Sequence, residues 1–589
     1  MPQLHLAPAE FIEHLGELIQ DEFACQRQAF SERCARPVEE RVESGECLAK
    51  LVFEKVDKDG RAHFRHEGNH SRLREGDRVL LNRGEPERGV AATLYFEDST
   101  RLMLSMKSGF DQHLFFGESV GWFLDEDFID LEDHYLSALE RLPKTEIGQE
   151  RVLPLLMGDA EGVLDEGVYQ DSYEELDRED SATRWEDKQK EAIAGCVSAS
   201  HCYLVQGPPG TGKTRVLAQV VAKLVAAGER VLVTGPTHLA IDHALAAAAV
   251  VIGDRCKVAR FGEITHGRRR EFETFEDFAA CDLNEQNGWV AGATPFALGK
   301  RLAGVEFDTV IMDEAGQMTT PLAIMAMLKG RKYLLFGDQQ QLGPVLVSRP
   351  RREGAAFGIF QALKAQAKHG TMLDITYRLN GALTQWPSEH FYQGELKAAP
   401  GAAYRRLQWT AGAQTAPWLR AALAGEHPLV WFAFPSRQAR TRNESEIALA
   451  AELLQALTRG GVAREDIAVV TPYRRQARFL RNRIEQMEPN FSWRGCLIDT
   501  VERMQGQERE VILLSWCAAD PEFIRRQFQF LLDPRRLNVA ATRARSKLII
   551  LANENLSHFS PMDSDDEEDM ALLRALKAAA LPVTPPDQA

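Results

Sequence analysis

The chain has 589 residues, 44% hydrophobic and 26% charged, with a formal net charge of −16, which is the make-up of a soluble globular protein with room for roughly three or four domains. No apolar run approaches the roughly 18 residues of a membrane helix, the first 22 residues lack the basic start and apolar core of an export signal, and the nine cysteines contain no C-x-x-C pair. A membrane association, export and a zinc or iron–sulfur site are therefore not expected, and a cytoplasmic place is, with the nucleus open; the negative charge argues against gripping nucleic acid by a bulk positive field but leaves room for a narrow basic groove.

In chain order, Phe11, Ile12, Leu15, Leu18, Ile19 and Phe23 recur at helical spacing, so residues 1–45 read as a helical region whose apolar stripe must pack on something. Residues 46–108 change texture to five short alternating runs, Ala49–Phe53, Ala62–His66, Arg78–Leu81, Val90–Phe96 and Arg101–Met106, parted by turn signals such as Asp57-Lys58-Asp59-Gly60. They predict a small β-barrel. A second helix is expected over Leu131–Leu142, and the acidic, polar stretch 158–180 reads as a linker, so 109–184 is taken as helix plus linker.

From Trp185 onward strand, loop and helix alternate, as in a parallel α/β sheet. Strands are expected at 203–205, 231–234, 309–312, 333–336, 467–470, 511–515 and 548–551. They are too spread out for one sheet, so two domains are expected, 185–370 and 371–555. Residues 556–589 carry the run Asp563-Ser564-Asp565-Asp566-Glu567-Glu568-Asp569 and read as a flexible, solvated acidic tail, a place for protein partners.

Chemistry concentrates where the first of these strands ends. Tyr203-Leu204-Val205-Gln206 runs into Gly207-Pro208-Pro209-Gly210-Thr211-Gly212-Lys213-Thr214, and a helix with Val216, Leu217, Val220, Val221 and Leu224 on one face follows. This is a phosphate-binding loop in its required context. Gly207, Gly210 and Gly212, with Thr211 between them, let backbone N–H groups turn inward toward phosphates at the positive end of the helix. Lys213 reaches the β- and γ-phosphates, and Thr214 offers a hydroxyl to Mg²⁺. Further on, Val310-Ile311-Met312 delivers Asp313 and Glu314 to a strand end, where buried charge needs a counter-ion. Asp313 suits the shell of Mg²⁺ and Glu314 the orientation or deprotonation of an attacking water. Leu334-Leu335-Phe336 likewise ends in Gly337-Asp338-Gln339-Gln340-Gln341, the kind of strand end at which open α/β sheets place ligands.

These motifs, in this order, resemble the superfamily 1 helicases, in the branch of the nonsense-mediated-decay RNA helicase and the Okazaki-fragment nuclease-helicase. The resemblance extends through Leu373-Asp374-Ile375-Thr376-Tyr377-Arg378, Phe391-Tyr392-x-Gly394, Val470-Thr471-Pro472-Tyr473-x-x-Gln476, Val501 to Glu508 and Asp533 to Arg545, covering roughly 185–551. It implies two tandem RecA-like domains with an N-terminal helical stalk and a small inserted barrel. It also implies ATP with Mg²⁺ as cofactors, and movement 5′-to-3′ on single-stranded DNA or RNA and at its duplex junctions. By the same resemblance Gln189 recognises adenine, Gln341 senses the γ-phosphate, Arg378 and Arg543 reach it from the second domain, Tyr377 lies against the adenine and Glu508 near the ribose. Strand contacts fall to Pro236 and Thr237, Thr294, Thr471 and Tyr473, with Arg268-Arg269-Arg270 and Arg474, Arg475 and Arg478 as basic candidates. Two other readings stand beside this one: an oligomeric AAA+-type protein-remodelling ATPase and a nucleotide-gated nucleic-acid scaffold. The motifs after Tyr377 weigh against the former by supplying a second half in the same chain.

Overall fold

The computed structural model describes residues 7–69, 71–98, 100–106, 119–160, 162–178, 184–262, 271–283, 287–348, 357–364, 369–434, 438–488, 493, 495–561 and 564–584. Pro8 to Ala35 form one 28-residue helix. Proline at its first turn loses no bond, and the Glu10 carboxylate accepts the Ala7 N–H at 2.9 Å. Its apolar stripe, with Leu15, Ile19 and Phe23 buried, packs on the helix Glu132–Arg141, where Phe23 meets Tyr135 at 5.7 Å between ring centres. Together they make a stalk seated on the first α/β domain. Tyr135 abuts Phe296 there, and the Glu22 carboxylate accepts the N–H groups of Val347 and Ser348, both at 2.9 Å.

Beyond the stalk the chain closes an antiparallel barrel of β1 (Cys47–Val56), β2 (Arg61–Arg65), β3 (Arg78–Asn82), β4 (Val90–Glu97), β5 (Arg101–Met106) and β6 (Trp122–Glu126), in the order β1-β2-β5-β4-β3-β6. Leu51, Phe64, Leu81, Leu94, Leu102, Leu104 and Leu124 fill it. The sequence reading stopped at five strands and residue 108; β6 lies beyond that limit and pairs with both β1 and β3, so that neither is left as an open edge. At the barrel's base Arg41, 1% exposed, meets Asp125 at 2.9 Å. It also donates to the carbonyls of Arg36 and Gly84, while Asn82 donates to Asp125 at 2.9 Å, so the buried pair leaves little hydrogen-bonding capacity unused.

The first α/β domain is an all-parallel sheet of β7 (Cys202–Gln206), β8 (Arg230–Thr234), β9 (Val258–Phe261), β10 (Glu273–Phe275), β11 (Trp289–Gly292), β12 (Phe307–Met312), β13 (Gly330–Gly337) and β14 (Gly370–Met372), ordered β10-β9-β11-β8-β12-β13-β7-β14. After the small parallel pair β15 (Ile375–Thr376) and β16 (Lys397–Ala398), a second parallel sheet follows. It holds β17 (Leu429–Phe434), β18 (Ile467–Thr471), β19 (Leu497–Thr500), β20 (Arg509–Ser515), β21 (Ala544–Asn553) and β22 (Leu581–Val583), ordered β19-β18-β20-β21-β17-β22. The strands foreseen in the sequence are the contiguous runs β8-β12-β13-β7 and β18-β20-β21; shorter or less regular strands complete each sheet.

Two expectations are corrected. The supposed linker 158–180 contains a helix, Glu166–Arg178, that buries Leu176 and is tied to the next helix by Lys190 to Asp177 at 2.7 Å; its scant apolar content hid its periodicity. The acidic tail is likewise structured. Ser564–Ala578 is a helix with Met570, Leu573 and Leu576 buried, its first-turn acids Asp565, Asp566 and Glu567 at the end that favours negative charge, and β22 then joins the second sheet beside β17. No helix among the described residues is long and apolar enough to cross a membrane.

Inside the second domain Glu446 is wholly buried, accepting from Ser515 Oγ at 2.7 Å and Cys517 N–H at 2.9 Å. Burial pushes its carboxyl up to about 8 despite these donors. Because the folded value lies above the ordinary one of about 4.5, the neutral acid's stabilisation is complete below 4.5 and is lost as pH rises toward 8. Glu446→Gln removes this titration. The unfolding transition of the variant, followed by calorimetry, is therefore expected to gain on wild type by about 1.4 kcal/mol per pH unit across that window and to level off above it; a constant difference refutes the assignment.

Candidate active site

β7 ends at Gln206, and Gly207 anchors the turn by donating to Gly337 O on the neighbouring β13 at 2.9 Å. Two glycines are forced. Gly210 and Gly212 take φ of 75° and 84°, and a Cβ on Gly210 would lie 2.3 Å from Arg378 Cβ. The helix Lys213–Ala226 starts immediately, so its positive end faces the loop.

Lys213 Nζ lies 2.7 Å from Glu314 Oε1 and 3.1 Å from Asp313 Oδ1. Both carboxylates stand where β12 ends, Glu314 in the left-handed region at φ 53° and held through Oε2 by Gln317 Nε2 at 3.1 Å. Burial works against the lysine's charge, but Asp313 and Glu314 outweigh it and hold the ammonium above its ordinary value. For Asp313 burial wins and raises the carboxyl; for Glu314 burial is overcome, chiefly by Lys213, and the carboxyl stays low. Thr214, half-buried, follows directly on the helix. A carboxylate and a hydroxyl oxygen form the hard donor set that Mg²⁺ takes.

The second domain reaches into this site along two paths. Arg378 Nε donates to Glu508 Oε2 at 2.6 Å and its Nη1 to Thr542 O at 3.3 Å. Arg543, almost wholly buried, donates from Nη2 to Gln341 Oε1 at 2.9 Å, and Gln341 donates in turn to Asp338 at 2.9 Å. Burial and the like charge of Arg378 both work against the Arg543 guanidinium, and Glu314 supports it. Glu508, which the resemblance puts near the ribose, pairs with Arg378, and that arginine outweighs burial to keep its carboxyl low.

The loop is also clamped from outside. Tyr377 N–H donates to Gly210 O at 2.8 Å and Thr376 Oγ1 to Pro209 O at 2.7 Å. Thr211 turns its hydroxyl to Pro208 O at 2.8 Å. Gln189, 2% exposed, donates to Thr211 O at 3.0 Å and accepts the Glu186 N–H at 3.3 Å. Its amide therefore supports the loop from behind. The exposed aromatic face is that of Tyr377, 40% exposed, whose hydroxyl donates to Glu186 at 3.1 Å; Arg215 lies 3.9 Å over Trp185 on the same helical layer. Sequence reasoning gave no role to Glu186 or Gln317. Glu186 is the N-cap of Gln189's helix and Gln317 sits three residues past Glu314, positions from which both contacts are readable.

The residues read as strand contacts divide. Pro236 is half-buried and Thr237 is exposed, capping the helix His238–Ile252 by accepting the Ala240 N–H at 3.2 Å. Thr294, half-buried, stands at the N-cap position of Pro295–Arg301, its hydroxyl making no capping bond, at the end of β11, the neighbour of β8. In the second domain, however, Thr471 is wholly buried on a central strand, and the Tyr473 ring packs 5.8 Å from Phe523 and 5.4 Å from Phe530. Neither presents itself as a surface contact, a correction that follows from their apolar surroundings. Arg475 pairs with Glu43 at 2.5 Å and Arg478 donates to Val42 O at 3.4 Å, so this helix holds the barrel's base. Arg268, Arg269 and Arg270 lie outside the described residues.

A family model described as an AAA domain matches residues 357–555, and a second AAA-domain model matches 184–285 and 290–349. Among curated proteins the chain is 28% identical over 381 residues to the DNA replication ATP-dependent helicase/nuclease JHS1 of Arabidopsis thaliana, covering 62% of this chain and 28% of that one. It is 29% identical over 401 residues to the Regulator of nonsense transcripts 1 homolog of Drosophila melanogaster (59% and 33%), and 30% identical over 404 residues to the ATP-dependent helicase NAM7 of Saccharomyces cerevisiae (59% and 40%). The chain spans less than half the length of these relatives.

The contacts of Gln189 generate a prediction that separates loop support from base reading. If the side chain holds the loop, Gln189→Ala raises the Michaelis constants for ATP and GTP by the same factor, about tenfold for a lost buried hydrogen bond. Steady-state hydrolysis with each nucleotide checks it; a rise confined to ATP restores the adenine-reading role.

Proposed function

Since the chain belongs to the superfamily 1 helicases, in the branch of the nonsense-mediated-decay and Okazaki-fragment enzymes, we propose that it is an ATP-dependent helicase or translocase acting on single-stranded DNA or RNA and its duplex junctions, with 5′-to-3′ movement. The observation that carries this reading is the closure of the two domains on one site: Lys213 pairs with Glu314 on the first, Arg543 of the second donates to Gln341 of the first, and Arg378 lies against Gly210 of the loop.

Phosphoryl transfer spreads negative charge over oxygens that a protein stabilises with fixed positive groups. Lys213 and the loop's N–H groups hold the phosphates from one side. Arg543 and Arg378 approach from the other domain, so hydrolysis and cleft geometry are linked through the same side chains. Glu314, kept ionised beside Lys213, orients and deprotonates the attacking water. Thr214 and Asp313 would hold Mg²⁺, which when bound neutralises charge on the phosphate oxygens. Gln341, which Arg543 grips across the domain boundary, would report the state of the γ-phosphate to that arginine. Tyr377 offers its face to the base. Thr237, the adjoining backbone of Pro236, and Thr294 support a strand path along the first domain, where dipoles grip phosphates without sequence preference. The barrel, mounted on the stalk and braced against the second domain, is the element suited to meet a junction.

An oligomeric remodelling ATPase would take its distant arginine from a neighbouring subunit. Here Arg543 comes from the same chain, which favours the motor reading. Glu314→Gln is expected to bind ATP near normally while hydrolysis falls to a trace, and Arg543→Ala to lose on the order of 10³-fold in kcat. Wild-type turnover should rise with added single strands, and titration with matched DNA and RNA oligonucleotides names the substrate. In strand displacement a 5′ overhang should be used over a 3′ overhang; the reverse preference refutes the polarity, and absent stimulation by either nucleic acid refutes the function.

A further inference from the structure

Asp338, just past the end of β13, is a carboxylate almost wholly shut off from water, and burial raises it. Four donors compensate. Gln340 N–H at 3.1 Å, Gln206 Nε2 at 3.3 Å and Gln341 Nε2 at 2.9 Å come from its own domain. The fourth and shortest is the Tyr392 hydroxyl at 2.7 Å, which arrives from the second domain at the end of the helix Gly381–Phe391. Tyr392 is itself buried, and its oxygen accepts from Asn538 Nδ2 at 3.0 Å; the same amide donates to Gln340 O at 2.8 Å.

These bonds close a ring. Asp338 Oδ2 holds Gln341 and Tyr392 together, Tyr392 holds Asn538, Asn538 rides on the helix Pro534–Ala541 that leads into Arg543, and Arg543 returns to Gln341. Two members belong to the first domain and three to the second. The angle at which Arg543 meets Gln341 is therefore braced from behind by the Tyr392 hydroxyl, beside the direct bond from Asn538 to Gln340 O.

We infer that Tyr392, seconded by Asn538, is a positioning residue for hydrolysis: it fixes Gln341 and Arg543 relative to each other across the domain boundary. This rests on the proposed ATPase reading. The loop Gly207–Thr214 takes no part in the ring, so losing the hydroxyl should spare nucleotide binding. Tyr392→Phe keeps the ring's shape but deprives Asp338 of its closest donor and Asn538 of an acceptor, both in buried surroundings where an unmade bond is costly.

The test is steady-state hydrolysis by the full chain with saturating single-stranded oligonucleotide, using wild type, Tyr392→Phe, Gln341→Ala and the double variant, with thermal melting of each. Tyr392→Phe is expected to lower kcat about tenfold or more, the scale of a hydrogen bond to a charged group, with the Michaelis constant for ATP within about twofold. In the Gln341→Ala background the same change should cost less than about twofold, because the group it positions is gone. Asn538→Leu, which removes the second link, should repeat the pattern at smaller amplitude. A merely structural role gives lower melting temperatures with kcat kept, or equal losses in both backgrounds. Either result, or an unchanged kcat in Asn538→Leu, overturns the inference. A wild-type chain that does not hydrolyse ATP defeats the underlying reading instead, and the two failures are distinct.

Discussion

Every other feature of the cleft depends on Lys213 standing between Asp313 and Glu314. Three ionisable groups at the end of a sheet buried on both faces are costly singly and tolerable together. The compensation is incomplete in an informative way: two negative groups share one positive one, and the carboxyl that burial raises, Asp313, is the one with the longer contact to the lysine. The cluster is thus organised around exchange of partners. An anion drawn to the ammonium frees carboxylate oxygens, and those oxygens are the hard ligands that a divalent cation seeks. On the proposed reading, nucleotide and cation binding would therefore be linked by charge.

The far wall of the cleft obeys the same rule with the signs reversed. Arg378 and Arg543 repel each other, and the protein separates their compensation. Arg378 is matched by Glu508 from its own domain, whereas Arg543 leans on a neutral amide, Gln341, from the other. Full neutralisation of Arg543 would hold the cleft shut or bury the charge uselessly. A neutral partner orients the guanidinium while leaving its charge available.

The sequence made the catalytic wall legible because its chemistry is local. Gly207 to Thr214, Asp313-Glu314 and the strands feeding them are contiguous words, each needing only a strand end and a turn. What it hid was whatever depends on three-dimensional closure. β6 was missed because a single strand lacks meaning until a barrel needs its last edge, and the helix Ser564–Ala578 because a run of acids masked Met570, Leu573 and Leu576 beneath it. The side-chain roles diverged for a related reason. Resemblance gave Gln189 and Glu508 ligand-facing tasks; the fold adds a protein partner for each, Thr211 for the buried Gln189 and Arg378 for the part-exposed Glu508, that no local pattern announces. Thr471 and Tyr473 show the same limit, since the solvent exposure of a residue at a strand end depends on what is packed above it.

The mounting of the barrel has a mechanical consequence. Its stalk is pinned to the first domain at Glu22, and its base is tethered to the second at Arg475 and Arg478. A body fastened to two parts that move relative to each other behaves as a rocker: any change in the gap between them has to tilt it or slip one fastening. The fastening to the second domain is the lighter one, the partly exposed pairs Arg475–Glu43 and Arg74–Asp499 and one long hydrogen bond, so under the proposed motion it would be the first to give. If the cleft opens and closes as the proposed motor requires, small strokes would be amplified along a stalk helix about 40 Å long, and large strokes shed, as in a clutch.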